Sequence, residues 1–343
     1  GSLSSQPSPE SRLKSLRDLI DTMFKLCLTH FGLSADPKSS AKPAPPSVDS
    51  KLSAMAAKIL HAVTCGSEEA AHTVLKRMVP LLETKWLQSP GERSFVLRQL
   101  LNLTKATSLF DTPAITSTGT NTATSSDDGP TNRNMTVSPA PTHPLADYLL
   151  TIVQIMQSCC MESASHAQDQ ADAMEGLAII ATLAKGSLVS PSMLSQIATT
   201  LTNKVIENSH LESTSVASVG LKLAALKALV KFFHTHSNLG SESHPLDALF
   251  AELHVRVNKV KEAPSDATYG ELSAFVASLH AICDPSTLSG ASEDDSPSAP
   301  VETVAANPSI VAQIQQELLN TLKGFTSDAR VFTIFLSSLS RTA

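Results

Sequence analysis

Aromatic side chains are scarce in this sequence: one tryptophan, two tyrosines and eleven phenylalanines among 343 residues. Flat platforms on which bases or sugars stack are correspondingly few. Cysteine is scarcer still for the length. Five cannot build a disulfide framework, and the odd number fits a reducing compartment, cytoplasmic or nuclear. Charge of either sign is thin, at 17% of residues, and the net of −6 lacks the basic excess of a dedicated nucleic-acid binder. No apolar run reaches the ~20 residues that span a bilayer. Strand signals are nearly absent, with no alternating β-branched run closed by an Asn-Gly or Asp-Gly turn.

Signatures of chemistry are missing as well. There is no Gly-Lys dipeptide for a phosphate loop, no His-Glu-x-x-His, no Gly-x-Ser-x-Gly and no Cys-x-x-Cys. Cys159 and Cys160 are adjacent, so on a helix their side chains diverge by about 100° and do not share a tetrahedral metal. Cys160 reads as core and Cys159 as its half-buried neighbour. His234 and His236 point to different faces of a helix end, where a histidine also complements the helix dipole. The acidic clusters Asp127-Asp128 and Glu293-Asp294-Asp295 lie in segments with no rigid scaffold around them. The sequence thus predicts no catalytic residue, cofactor, metal or small-molecule substrate.

What the sequence does contain is apolar spacing at three and four residues. It starts with Leu13, Leu16, Leu19, Ile20, Met23, Phe24, Cys27 and Leu28. It continues with helices predicted over about 48–64 and 67–87, the latter carrying Glu68 and Glu69 in its first turn and Pro80 as an expected kink. Ser89-Pro90-Gly91-Glu92 reads as a capping box with proline at the first helical position. Leu145, Tyr148, Leu149, Ile152, Val153, Met156 and Cys160 form the next stripe. Further helices are predicted over about 166–185, from Ser190-Pro191, over 212–236, through Leu246–Val260 and Leu272–Ile282, and over 308–323 and 327–341. Three segments, 35–50, 111–143 and 284–307, are rich in Ser, Thr, Pro, Asp and Asn. They offer too little apolar surface to offset ordering entropy and read as disordered linkers or insertions.

About twelve helices pair off, with pairs beginning near 67, 144, 190, 244 and 308. The intervals from 144 to 190 and from 190 to 244 are about 46 and about 54 residues. Ser327-Asp328-Ala329-Arg330-Val331 has an Asp that caps and an Arg nearby, and Pro80 sits inside the first helix of a pair. In spacing and in these marks the chain resembles HEAT and armadillo repeats. The resemblance implies an all-α fold: an α-solenoid of about six antiparallel helix pairs, one repeat domain over residues 1–343, with each pair burying its apolar face on the next. Gly1-Ser2 in place of an initiating methionine, and an apolar segment running to Ala343, suggest a segment of a larger protein.

The function expected from this reading is a non-catalytic protein–protein interaction scaffold whose partners are other proteins. A regulatory or tubulin-binding module of HEAT type is the alternative, and an irregular all-α enzyme domain the second alternative. Candidate partner contacts are Trp86, the sole tryptophan, and a basic ridge of Arg256, Lys259 and Lys261. The plain alternatives are a tryptophan closing the core between repeats and a solvated helix face. Ser138 and Ser296 precede prolines and Ser292 precedes an acidic run, which makes these three candidate phosphorylation sites.

Overall fold

The computed structural model describes residues 14–15, 18, 21–22, 50–110, 143–162, 165–183, 188–209, 216–236, 244–288, 306–324 and 328–339. From residue 50 onward these form α1 (Ser50–Gly66), α2 (Glu68–Gln88), α3 (Arg93–Thr107), α4 (Leu149–Met161), α5 (Ala167–Thr182) and α6 (Pro191–Asn208). They continue as α7 (Val216–Thr235), α8 (Pro245–Glu262), α9 (Asp266–Cys283), α10 (Pro308–Lys323) and α11 (Ala329–Leu339). No strand occurs among the described residues, so the fold is all-α. The few described positions before residue 50 are helical, and Asp21 forms an ion pair with Arg77 of α2. The rest of the first predicted helix lies outside the described residues, as do 35–49, 111–142 and 289–305.

Local chemistry explains where the helices begin. Ser67 caps α2 by accepting from the Ala70 N–H at 3.1 Å, with Glu68 and Glu69 in the first turn. A polar acceptor followed by proline recurs at four later starts. His143-Pro144 leads into the short turn before α4, with Leu145 N–H donating to His143 Nδ1 at 3.2 Å. Ser190-Pro191 opens α6, His244-Pro245 opens α8 and Asn307-Pro308 opens α10, each cap side chain accepting a backbone N–H. Proline suits this place because its missing N–H is one the helix would leave unbonded. These are the first helices of successive pairs, so the device itself repeats.

Several expectations are corrected. The capping box at Ser89 does not form: Pro90–Glu92 is a 3₁₀ turn without a side-chain cap, and Glu92 instead meets Lys85 Nζ at 2.5 Å. Cys159 is buried, not half-buried, because α5 covers that side of α4. The second insertion begins later than 284, since Pro285–Leu288 forms a 3₁₀ turn with Leu288 buried. Pro80 lies inside α2, where the spacing placed it.

The extensive helix–helix contacts join neighbours in chain order. Apart from α7 with α8, each helix packs on the next, and each packs on the next but one. Contact is closest between α5 and α7. Buried small residues suit this approach: Ala173, Ala178 and Ala181 on α5 and Ala225 and Ala228 on α7. At Gly176 a Cβ would collide with the Met156 thioether of α4 and touch Leu101 of α3. One continuous core runs from Leu60 through Leu100, Ile152, Leu177 and Phe232 to Phe275 and Phe335.

Candidate interaction groove

The α2 stripe Val74, Leu75, Met78, Leu82 and Trp86 faces inward, so Trp86 arrives in the last turn with only 5% of its surface exposed. Four helix ends converge on it. The Arg93 guanidinium, at the start of α3, lies 4.8 Å from the Trp86 ring centroid. Arg93 Nη1 donates to Glu162 Oε1 and Oε2 at 2.8 and 2.7 Å, just past α4, and Nε donates to the Trp86 carbonyl at 3.4 Å. Gln170 of α5 donates to the Glu162 carbonyl at 3.3 Å, and Ser94 donates to Asp169 Oδ2 at 2.5 Å. The tryptophan is thus clamped by a network that ties one helix pair to the next.

One side of this clamp is open. A groove of about 510 Å³ runs between α2 and α4. α2 contributes Glu83, Trp86 and Leu87, and α4 contributes Gln154, Ile155, Ser158 and Met161. Leu87 and Met161 are 71% and 67% exposed, an unusual degree for large apolar side chains facing each other across a cleft. The Trp86 indole N–H has no hydrogen-bond acceptor among the described residues, yet it is not sealed from solvent.

The charges around the groove are unequal. Lys85 pairs with Glu92 and lies 5.4 Å from the Phe95 ring centroid, and burial pushes its pKa below the usual lysine value. Arg93 is neutralised by Glu162. Glu83 is exposed and has no ion-pair partner among the described residues. The groove thus sets apolar Trp86, Leu87, Ile155 and Met161 among polar Thr151, Gln154, Gln157 and Ser158, with Glu83 as a lining charge that has no ion-pair partner among the described residues.

The other candidate residues fall elsewhere. Arg256 does not belong to an exposed ridge: it is 1% exposed, because α9 and the end of α6 close over it. Its guanidinium donates to Glu252 Oε1 at 2.7 Å, the Glu271 carbonyl at 3.0 Å and Ser209 Oγ at 3.0 Å, over the Phe275 ring. Lys259 and Lys261 are exposed, and Lys259 pairs with Glu271 at 3.5 Å. Ser138, Ser292 and Ser296 lie outside the described residues. His234 is exposed, whereas His236 Nε2 contacts the Ala181 carbonyl at 2.7 Å. No group of three or more metal-ligating side chains occurs among the described residues. Burial pushes the Cys159 thiol up to about 11 and the Cys160 and Cys283 thiols up to about 12, away from nucleophilic use.

Sequence reasoning found Trp86 but missed the other wall. The signal was present: Ile155 and Met161 are apolar residues off the α4 stripe of Ile152, Val153, Met156 and Cys160, as Leu87 is off that of α2. No protein-family model matches this chain, and neither a curated protein nor a solved structure does.

Proposed function

We propose that this chain is a non-catalytic interaction scaffold, an α-solenoid segment of HEAT or armadillo type that binds other proteins along its open sides. The observation that carries the reading is the contact order. Among the described residues the extensive contacts run to the next helix and the next but one, a pattern that supports stacked helix pairs in two rows with open outer faces. Such an array buries its core without needing a pocket, and its outer faces remain available to another macromolecule. The groove at Trp86 is one such place, apolar enough to gain from being covered.

Two measurements test this. Small-angle scattering gives an elongated profile for a solenoid and a compact one for a bundle of the same helix content. Affinity capture with the full chain as bait, read by mass spectrometry, returns reproducible protein partners if the chain is a scaffold. A compact profile, or turnover of a small molecule by a chain that captures no protein, overturns the reading.

A further inference from the structure

The groove between α2 and α4 has a chemistry that selects its occupant, and this inference rests on the scaffold reading. Its volume, about 510 Å³, falls within the ~300–1,000 Å³ typical of ligand sites and suits a few residues rather than a whole helix. Its apolar lining residues Leu87 and Met161 are largely exposed. The Trp86 N–H has no acceptor among the described residues and is open to one that arrives from solvent. A donor in that position gains most from an acceptor that arrives with an apolar group. Gln154 and Ser158 add side-chain amide and hydroxyl groups on the same wall. A helix has already bonded most of its main-chain carbonyls, whereas an extended segment still offers them. Glu83 attracts a cation at the rim; it has no ion-pair partner among the described residues, where Lys85 and Arg93 are each paired elsewhere. The same carboxylate repels phosphates and acidic peptides.

We propose that the groove receives a short extended peptide segment of a partner protein. One apolar side chain of that segment sits between Leu87 and Met161, a main-chain carbonyl accepts from the Trp86 N–H, and a Lys or Arg lies beside Glu83.

The test pans a random-sequence peptide display library on the full chain and measures the enriched peptides, synthesised with a fluorescent label, by polarisation. Enriched sequences share an apolar residue followed within about three positions by Lys or Arg. Because Trp86 is the sole tryptophan, its emission shifts when an unlabelled enriched peptide binds. Met161→Glu and Leu87→Glu, both at exposed positions, keep the helical far-ultraviolet spectrum and weaken binding about tenfold or more. Glu83→Gln weakens it by roughly two- to fivefold and reduces its salt dependence. Trp86→Phe keeps most of the ring and loses the N–H, which weakens binding by roughly two- to tenfold. No enrichment over an unrelated helical control, enriched peptides that bind the two glutamate variants undiminished, or binding that leaves Trp86 emission unchanged each overturns the groove assignment. A natural partner captured equally by wild type and Met161→Glu also overturns it while leaving the scaffold reading intact.

Discussion

The guanidinium of Arg256, near the middle of α8, donates to the hydroxyl of Ser209 at the end of α6, 3.0 Å away and with both side chains buried. The same group reaches the Glu271 carbonyl in the second turn of α9 and the Glu252 carboxylate one turn earlier on α8. Three helices of successive pairs therefore share one cation. Arg256→Ala is expected to destabilise the fold by about 3–5 kcal/mol, because it leaves the Glu252 carboxylate, the Glu271 carbonyl and the Ser209 hydroxyl without this donor. Urea unfolding measures it. A loss below about 1 kcal/mol would show that the array does not depend on this hub.

Gly176 tests how tightly α5 is held against α4. An alanine in mid-helix normally adds about 0.5–1 kcal/mol of stability over glycine. Here the new Cβ meets the terminal atoms of the fully buried Met156. Gly176→Ala is expected to reverse the usual sign and cost about 1–2 kcal/mol. Combining it with Met156→Ala should show a coupling above about 0.5 kcal/mol, since the two changes share one space. Additive effects would contradict the close approach.

The thiols of buried Cys159 and Cys160 and of half-buried Cys283 carry a pH signature. Cys159 ionises at about 11 and Cys160 and Cys283 at about 12, each raised mainly by burial from an ordinary value of 9.0. The folded state keeps protons that the unfolded chain releases. This contribution is full below about pH 9 and is lost as pH rises towards 11–12. Thermal melts across pH 8–11 should show stability falling in that window. In the triple Cys→Ala variant the part of the fall due to these thiols should vanish. At neutral pH, iodoacetamide should leave all three unmodified in the native chain and alkylate them in urea.

At the far end, Asp328 couples α11 to α9. It accepts from the backbone N–H groups of Arg330 at 2.9 Å and Val331 at 3.2 Å and from the Tyr269 hydroxyl at 2.8 Å. The Tyr269 hydrogen bond is the main reason its carboxyl pKa lies below the usual carboxylate value. That stabilisation is present above the ordinary carboxylate range and fades as pH falls through the lowered value. Asp328→Ala should speed amide hydrogen exchange over 329–333 while leaving α5 and α7 unchanged. Equal acceleration in all helices would mean that α11 does not open by itself.

Much of the fold was legible because helices declare themselves locally. The three- and four-residue spacing located α2, α6, α9 and α10 closely, and Ser190-Pro191 marked a start that the structure shows. The proline after each cap at 144, 191, 245 and 308 was a repeat mark readable from the sequence and was not used as one. The same local logic failed at Ser89, where Lys85, one turn back on α2, competed for the Glu92 carboxylate. It failed again at Arg256, because a cation beside exposed lysines looks like surface until α6 and α9 are placed over it.

The groove was half legible. A lone tryptophan at a helix end is conspicuous, but its clamp by Arg93 and Glu162 joins residues 69 apart in sequence. Hydrophobic periodicity sets which face of each helix turns inward, since that requires only the helical repeat of its own residues. Whether an apolar residue off the stripe becomes waste surface or one wall of a cleft depends on which helix lies opposite and at what distance. Packing against the next but one in the chain settles that for Leu87 and Met161, and no window of sequence contains both sides of it.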